Sequence, residues 1–110
     1  MTFGNETDER EAHRILDCFV ERGGTFIDTA DIYAKGVSEE MVGRWARARG
    51  GADDLIVATK GRFFGPRGSH GTSRRGLTMA VEASLRRQQT DAIDLYFVHG
   101  WDKDTEIAET

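Results

Sequence analysis

The chain has 110 residues, 38% of them hydrophobic and 31% charged, with a formal net charge of −4. That balance suits one globular domain or part of one, and a net negative charge with Arg74-Arg75 and Arg86-Arg87 as the notable basic doublets argues against a nucleic-acid partner. No apolar run is long enough to span a membrane and none follows a basic start, so the expectation is a cytoplasmic chain with neither membrane segment nor signal peptide.

Asp8 can cap a first helix, with Glu11 three residues on in capping-box spacing. Ala12, Ile15, Leu16, Phe19 and Val20 then follow the i, i+3, i+4, i+7, i+8 pattern, and Gly23-Gly24 ends the helix. Cys18, the single cysteine, falls on the apolar side and reads as a small buried thiol. Thr25 to Ala30 is short and mostly apolar, as expected of a strand buried on both faces. Ser38 offers a second N-cap, with Glu39 and Glu40 in the first turn, where the helix dipole favours acids. Met41, Val42, Trp45 and Ala46 form its buried stripe, and Gly50-Gly51 its stop. Leu55 to Thr59 is a second buried strand, and residues 61–72 form a glycine-rich loop. Ser73 caps a third helix whose Leu77, Ala80, Val81, Ser84 and Leu85 face inward. Ile93 to Val98 is a third strand, and Glu106 to Thr110 reads as the first turns of another helix.

Strands alternating with helices imply right-handed βαβ units and a parallel sheet, either open or closed into a barrel. Gly65, Gly68 and Gly71 lack the spacing of a dinucleotide fingerprint, and no GxxxxGK occurs, which disfavours a Rossmann or P-loop reading. His13 and His70 have no partners at metal-ligand spacing, so no metal site is expected.

Four chemistry-bearing residues fall at or just past strand ends: Asp28, Tyr33, Lys60 and His99. In a parallel barrel that rim is where catalytic groups collect. A phenol beside an ammonium, a carboxylate and an imidazole can hand a proton to a carbonyl oxygen.

The segment Gly24-Thr25-Phe26-Ile27-Asp28-Thr29-Ala30-Asp31-Ile32-Tyr33, followed by Gly36-Val37-Ser38-Glu39-Glu40 and Gly43, resembles the first signature of the aldo-keto reductase family. Val57-Ala58-Thr59-Lys60 is similar to the family's lysine strand. Ser84-Leu85, with Thr90-Asp91-Ala92-Ile93-Asp94-Leu95-Tyr96 and His99, is similar to its histidine strand. The resemblance implies an α/β fold, a (β/α)8 TIM barrel of parallel strands and alternating helices. It implies an oxidoreductase that uses NADPH, less often NADH, to reduce small-molecule aldehydes or ketones.

Carried over by position, Tyr33 is the general acid, Lys60 lowers its pKa, Asp28 fixes the ammonium and His99 orients the carbonyl. Asp28 is also a candidate contact for the cofactor. Trp101, Phe63 and Phe64 are candidates for the substrate pocket wall. Gln88-Gln89 stands where the family usually has a leucine, an expected loosening of the third helix.

A whole barrel of this kind needs about 250 residues. Residues 1–110 are therefore expected to be the N-terminal part of a single barrel domain, from the end of strand 1 to the start of helix 4. Met1 to Gly4 would be the tail of the first strand. The C-terminal half, with most of the cofactor site, is expected to be absent, and exposed strand edges lead us to expect self-association. The alternative is a non-catalytic relative, truncated or serving as a regulatory sensor of cofactor.

Overall fold

At Asp8 the backbone is extended, and its carboxylate accepts a hydrogen bond from the Glu11 N–H at 2.9 Å, which starts α1 (Glu9–Glu21). The computed structural model describes residues 1–63 and 71–110. After α1 come β1 (Phe26–Asp28), a short tight turn (Tyr33–Gly36), α2 (Val37–Ala48), β2 (Ile56–Gly61), α3 (Arg74–Gln88) and β3 (Leu95–Val98). The strands form a parallel sheet in the order β1-β2-β3, with Ile27 opposite Val57, Asp28 opposite Ala58, and Lys60 opposite Phe97. This is the expected βαβ alternation.

The period-2 geometry of a strand sorts its residues between two faces. Ile27, Val57 and Thr59 point to the helices and are buried with Leu16, Val42, Trp45 and Leu55. Phe26, Asp28, Ile56, Lys60, Leu95 and Phe97 share the other face. There Phe26 is 45% exposed, Ile56 47% and Phe97 42%. The strands were expected to be buried on both faces, but the described residues cover only one. Similarly, Ala12 and Leu16 of α1 are buried while Ile15 and Phe19 are not, and Cys18 is half-buried. α1 packs chiefly on α2, so only the middle of its apolar stripe is covered. Trp45 is core, as expected, and donates from Nε1 to Asp17 at 2.8 Å.

Three other expectations need correction. Ser38 does not cap α2: Gly36 holds the cap position at φ +93°, and the Ser38 hydroxyl is buried 2.9 Å from that of Thr29. Met1–Gly4 does not join the sheet; Phe3 bridges to Thr7 in a closed turn and packs on the core. Glu106–Glu109 forms one turn, tied down where the Thr110 hydroxyl donates to the Thr72 carbonyl. Ser73 does cap α3, accepting from the Gly76 N–H at 3.2 Å.

Between α2, α3 and β2 lies a buried polar layer. Glu39 is fully buried. It accepts from the Thr59 hydroxyl at 2.6 Å, the Arg87 guanidinium at 2.5 Å and the Gln88 amide at 3.3 Å. A buried carboxylate is tolerable only when its oxygens are satisfied in this way. Gln88 is therefore an anchor of α3, where its polarity had suggested a loosened contact.

Past the C-terminal end of β3, Asp102 pins two loops. It accepts from the Thr72 and Asp104 N–H groups, at 2.9 and 3.1 Å, and from the Thr105 hydroxyl at 2.9 Å. These bonds, the Thr72 N–H foremost, hold its carboxyl down at about 2.

Two measurements test this packing. At Gly43 an added Cβ would lie 2.3 Å from the Gln88 carbonyl oxygen, so α2 and α3 cross there with no room for a methyl group. Helix propensity alone predicts that Gly43→Ala stabilises by about 1 kcal/mol. Overpacking predicts a loss of about 1–3 kcal/mol, and we expect that loss to prevail as a lowered urea midpoint. The second concerns acid. A carboxyl whose folded pKa lies below its ordinary 3.8 contributes stability above that value and loses it as pH falls towards about 2. The stability gap between the protein and Asp102→Asn should be full at neutral pH and close across that window.

Candidate active site

The backbone ladder runs past the formal strand ends. The Asp31 N–H donates to the Lys60 carbonyl at 2.8 Å, and the His99 N–H to the Gly61 carbonyl at 2.9 Å. This brings the segments after β1, β2 and β3 to one rim, and Lys60 is its centre. Its ammonium donates to Asp28 Oδ2 at 2.5 Å and to the Thr29 carbonyl at 2.8 Å. Nζ also lies 4.9 Å from the centroid of the Tyr33 ring. An ammonium has three donors, and these two bonds leave one to face the phenol.

Tyr33 arrives by an unusual backbone path. Ala34 and Lys35 have φ of +48° and +56°, followed by Gly36 at +93°, so the chain turns left-handed immediately after the tyrosine. Non-glycine residues in this region carry strain, which the surrounding structure must hold. The turn leaves Tyr33 half-buried, its ring edge-on to His99 at 5.9 Å between centroids and 82° between planes. The four residues singled out in the sequence thus come together.

The chain's other tyrosine is Tyr96. Tyr96 is pushed up to about 12, first by burial and then by Asp31 and Glu39 nearby. Its hydroxyl fills the space a side chain would need at residue 61: a Cβ on Gly61 would lie 1.7 Å away. The glycine after Lys60 is therefore a packing requirement.

The pocket candidates separate. Phe63 packs against His99, with ring centroids 5.5 Å apart, and is 48% exposed. Trp101 is 75% exposed and lines a cleft of about 380 Å³ with Val98, Asp102 and Ile107. Phe64 lies outside the described residues, as does His70. A cleft of about 520 Å³ lies at the opposite ends of the strands, between Ala46, Leu55 and Thr90, away from these groups. Among the described residues no group of three or more His, Cys, Asp or Glu side chains is placed to hold a metal ion. No helix among them is long and apolar enough to cross a membrane.

The sequence did not point to Arg62. Its backbone stands at φ +148°, its N–H donates to Asp31 Oδ2 at 3.2 Å, and its guanidinium lies 4.6 Å over the Phe63 ring and 3.7 Å from Asp102. An arginine among glycines gives no composition signal; the signal is conformational.

Comparison with known proteins bears on the family and the fold. The aldo/keto reductase family model matches residues 1–110. A norsolorinic acid reductase of Aspergillus flavus is 39% identical, over 99% of this chain and 32% of its own length. An aldo-keto reductase from Bacillus halodurans, solved in its holo form, superposes with a TM-score of 0.81 at 42% identity, covering 94% of this chain and 35% of that one. An aldo-keto reductase from Klebsiella pneumoniae, solved in complex with NADPH, gives 0.79 at 32% identity, covering 98% and 35%. The chain spans about a third of the length of the relatives it matches. With the family match running through every residue and the parallel α/β arrangement of part of a TIM barrel, this chain belongs to the aldo-keto reductase family.

Proposed function

We propose that the protein carrying this chain is a cytoplasmic reductase that converts small aldehydes or ketones to alcohols with NADPH. In this reading residues 1–110 are the N-terminal part of one barrel domain and supply its acid–base residues. The observation that carries it is Lys60: an ammonium held by Asp28 and the Thr29 carbonyl, beneath the ring of Tyr33 and within one rim of His99.

The donor set fits the ribose and nicotinamide end of such a cofactor. Asp28 is about half exposed and gives one oxygen to Lys60, which leaves the other to accept a hydroxyl hydrogen bond. Among the described residues, the rim cations Lys60 and Arg62 already face Asp28 and Asp102, so these two do not form a phosphate site. NADPH, when bound, supplies the hydride that reaches the carbonyl carbon.

The chain's own residues handle the proton. As negative charge grows on the carbonyl oxygen, the Tyr33 hydroxyl passes its proton to it. The nearby ammonium then stabilises the phenolate that remains, at low cost because it is already fixed in place. Asp28 holds and aims that ammonium. His99, held edge-on to Tyr33, orients the carbonyl. Phe63 and Trp101 form the pocket wall. The apolar sheet face and strand edges would be covered by further chain of the same barrel or by a second copy.

The test is NADPH oxidation with a reactive aromatic aldehyde, measured on the full-length protein. Tyr33→Phe should lower kcat by a factor of about 10²–10⁴ while NADPH affinity, followed by fluorescence, stays within a few-fold. Lys60→Met should cause a comparable loss. Turnover retained in Tyr33→Phe would sink the general-acid assignment. NADPH binding without turnover in the unsubstituted protein would favour a regulatory relative.

A further inference from the structure

We propose that Arg62 is a positioning residue for this reaction: clamped in a strained backbone conformation by Asp31 and Asp102, it sets Phe63 against His99. The inference rests on the reading of the site given above.

The argument starts from the imidazole. Among the described residues, His99 Nδ1 is buried and has no hydrogen-bond partner. Ring packing holds this side chain, with the Tyr33 ring at 5.9 Å and the Phe63 ring at 5.5 Å and 60° between planes. Phe63 is about half exposed, so it needs support of its own. Arg62 gives that support, its guanidinium carbon lying 4.6 Å over the ring.

Arg62 is in turn held at both ends. Its φ of +148° is a conformation that an L side chain rarely adopts, and such residues persist only where their surroundings over-determine them. At the backbone, the N–H donates to Oδ2 of Asp31, a fully buried residue whose own N–H bonds the Lys60 carbonyl. At the side chain, the guanidinium lies 3.7 Å from Asp102, the two side chains being 20% and 10% exposed. Asp102 cannot swing away, because Thr72, Asp104 and Thr105 already hold it. A contiguous set of contacts thus links the loop after β3 to Arg62, Phe63, His99 and Tyr33. Strain concentrated two residues past Lys60 is what a site would require if it must fix an aromatic ring against its imidazole.

A staple that merely secured the loop would affect stability alone, and Arg62→Gly separates the two roles. Glycine accepts the backbone angle, so the strain is relieved while the guanidinium is lost. In the full-length protein we expect the thermal midpoint to be unchanged or raised and NADPH affinity to hold within about twofold. We expect kcat to fall about tenfold or more, as for a misplaced catalytic group. The NMR signals of the His99 ring should shift. Arg62→Lys keeps a cation near Asp102 without the flat stacking surface. It should show the same kcat loss and ring shift, and it carries the test if Arg62→Gly does not fold. Unchanged kcat and an unmoved His99 ring in the folded variant would overturn the inference, as would an activity loss that merely tracks the unfolded fraction. Tyr33→Phe, run alongside, reports on the general acid separately: its retained turnover would remove the reading of the site, while the His99 signals would still report on the clamp.

Discussion

The ion pair between Lys60 and Asp28 depends on strand register, and the rest of the candidate site depends on that pair. Asp28 sits opposite Ala58, two residues before Lys60, so both side chains emerge on the same sheet face. A slip of one residue between β1 and β2 would send the ammonium to the helix side and break the site. Register is held by the residues of opposite parity, Ile27 and Val57, which lock into the core with Leu16, Val42 and Trp45. The hydrophobic core therefore does more than stabilise this chain; it decides which face the chemistry occupies.

The polar layer around Glu39 continues the same logic. Thr59 immediately precedes Lys60 and points the other way, where its hydroxyl donates to Glu39. Arg87 and Gln88 reach the same carboxylate from α3. The end of β2 is thus gripped from the helix side by a satisfied buried acid and from the open side by the Lys60–Asp28 pair. Apolar contacts alone would tolerate small sliding motions of α3 over the strand. A carboxylate with three directional partners does not, since a half-satisfied buried charge is worse than none.

Much of this was legible in the sequence. Asp8 and Ser73 as caps, the three strands, Trp45 as core and the convergence of Asp28, Tyr33, Lys60 and His99 all follow from periodicity, capping chemistry and strand-end position. What was not legible has identifiable causes. An apolar run such as Leu95 to Val98 says that its side chains favour burial, not what lies above them, so the uncovered sheet face could not be read. Ser38 and Glu39 fit the sequence pattern of a cap and a dipole-stabilised acid, yet tertiary packing turns both inward. The positive φ angles at Ala34, Lys35 and Arg62 leave no trace in residue type, because glycine is the usual marker and none of the three is glycine.

The uncovered face also bears on the electrostatics. Phe26, Ile56, Leu95 and Phe97 share their side of the sheet with Asp28 and Lys60, and the Asp28 side chain is 46% exposed. A charge pair at 2.5 Å in contact with water gains little, since solvent screens the attraction and competes for the same hydrogen bonds. The same geometry in a dry, low-dielectric setting acts far more strongly on a neighbouring phenol. Covering the apolar side chains and excluding water from the ammonium are accordingly one event. Whatever packs on Phe26, Ile56 and Phe97 would, in the proposed reading, also set how strongly Lys60 acts on Tyr33. In the proposed reading, proton donation at this rim is thereby coupled to whatever covers the sheet face.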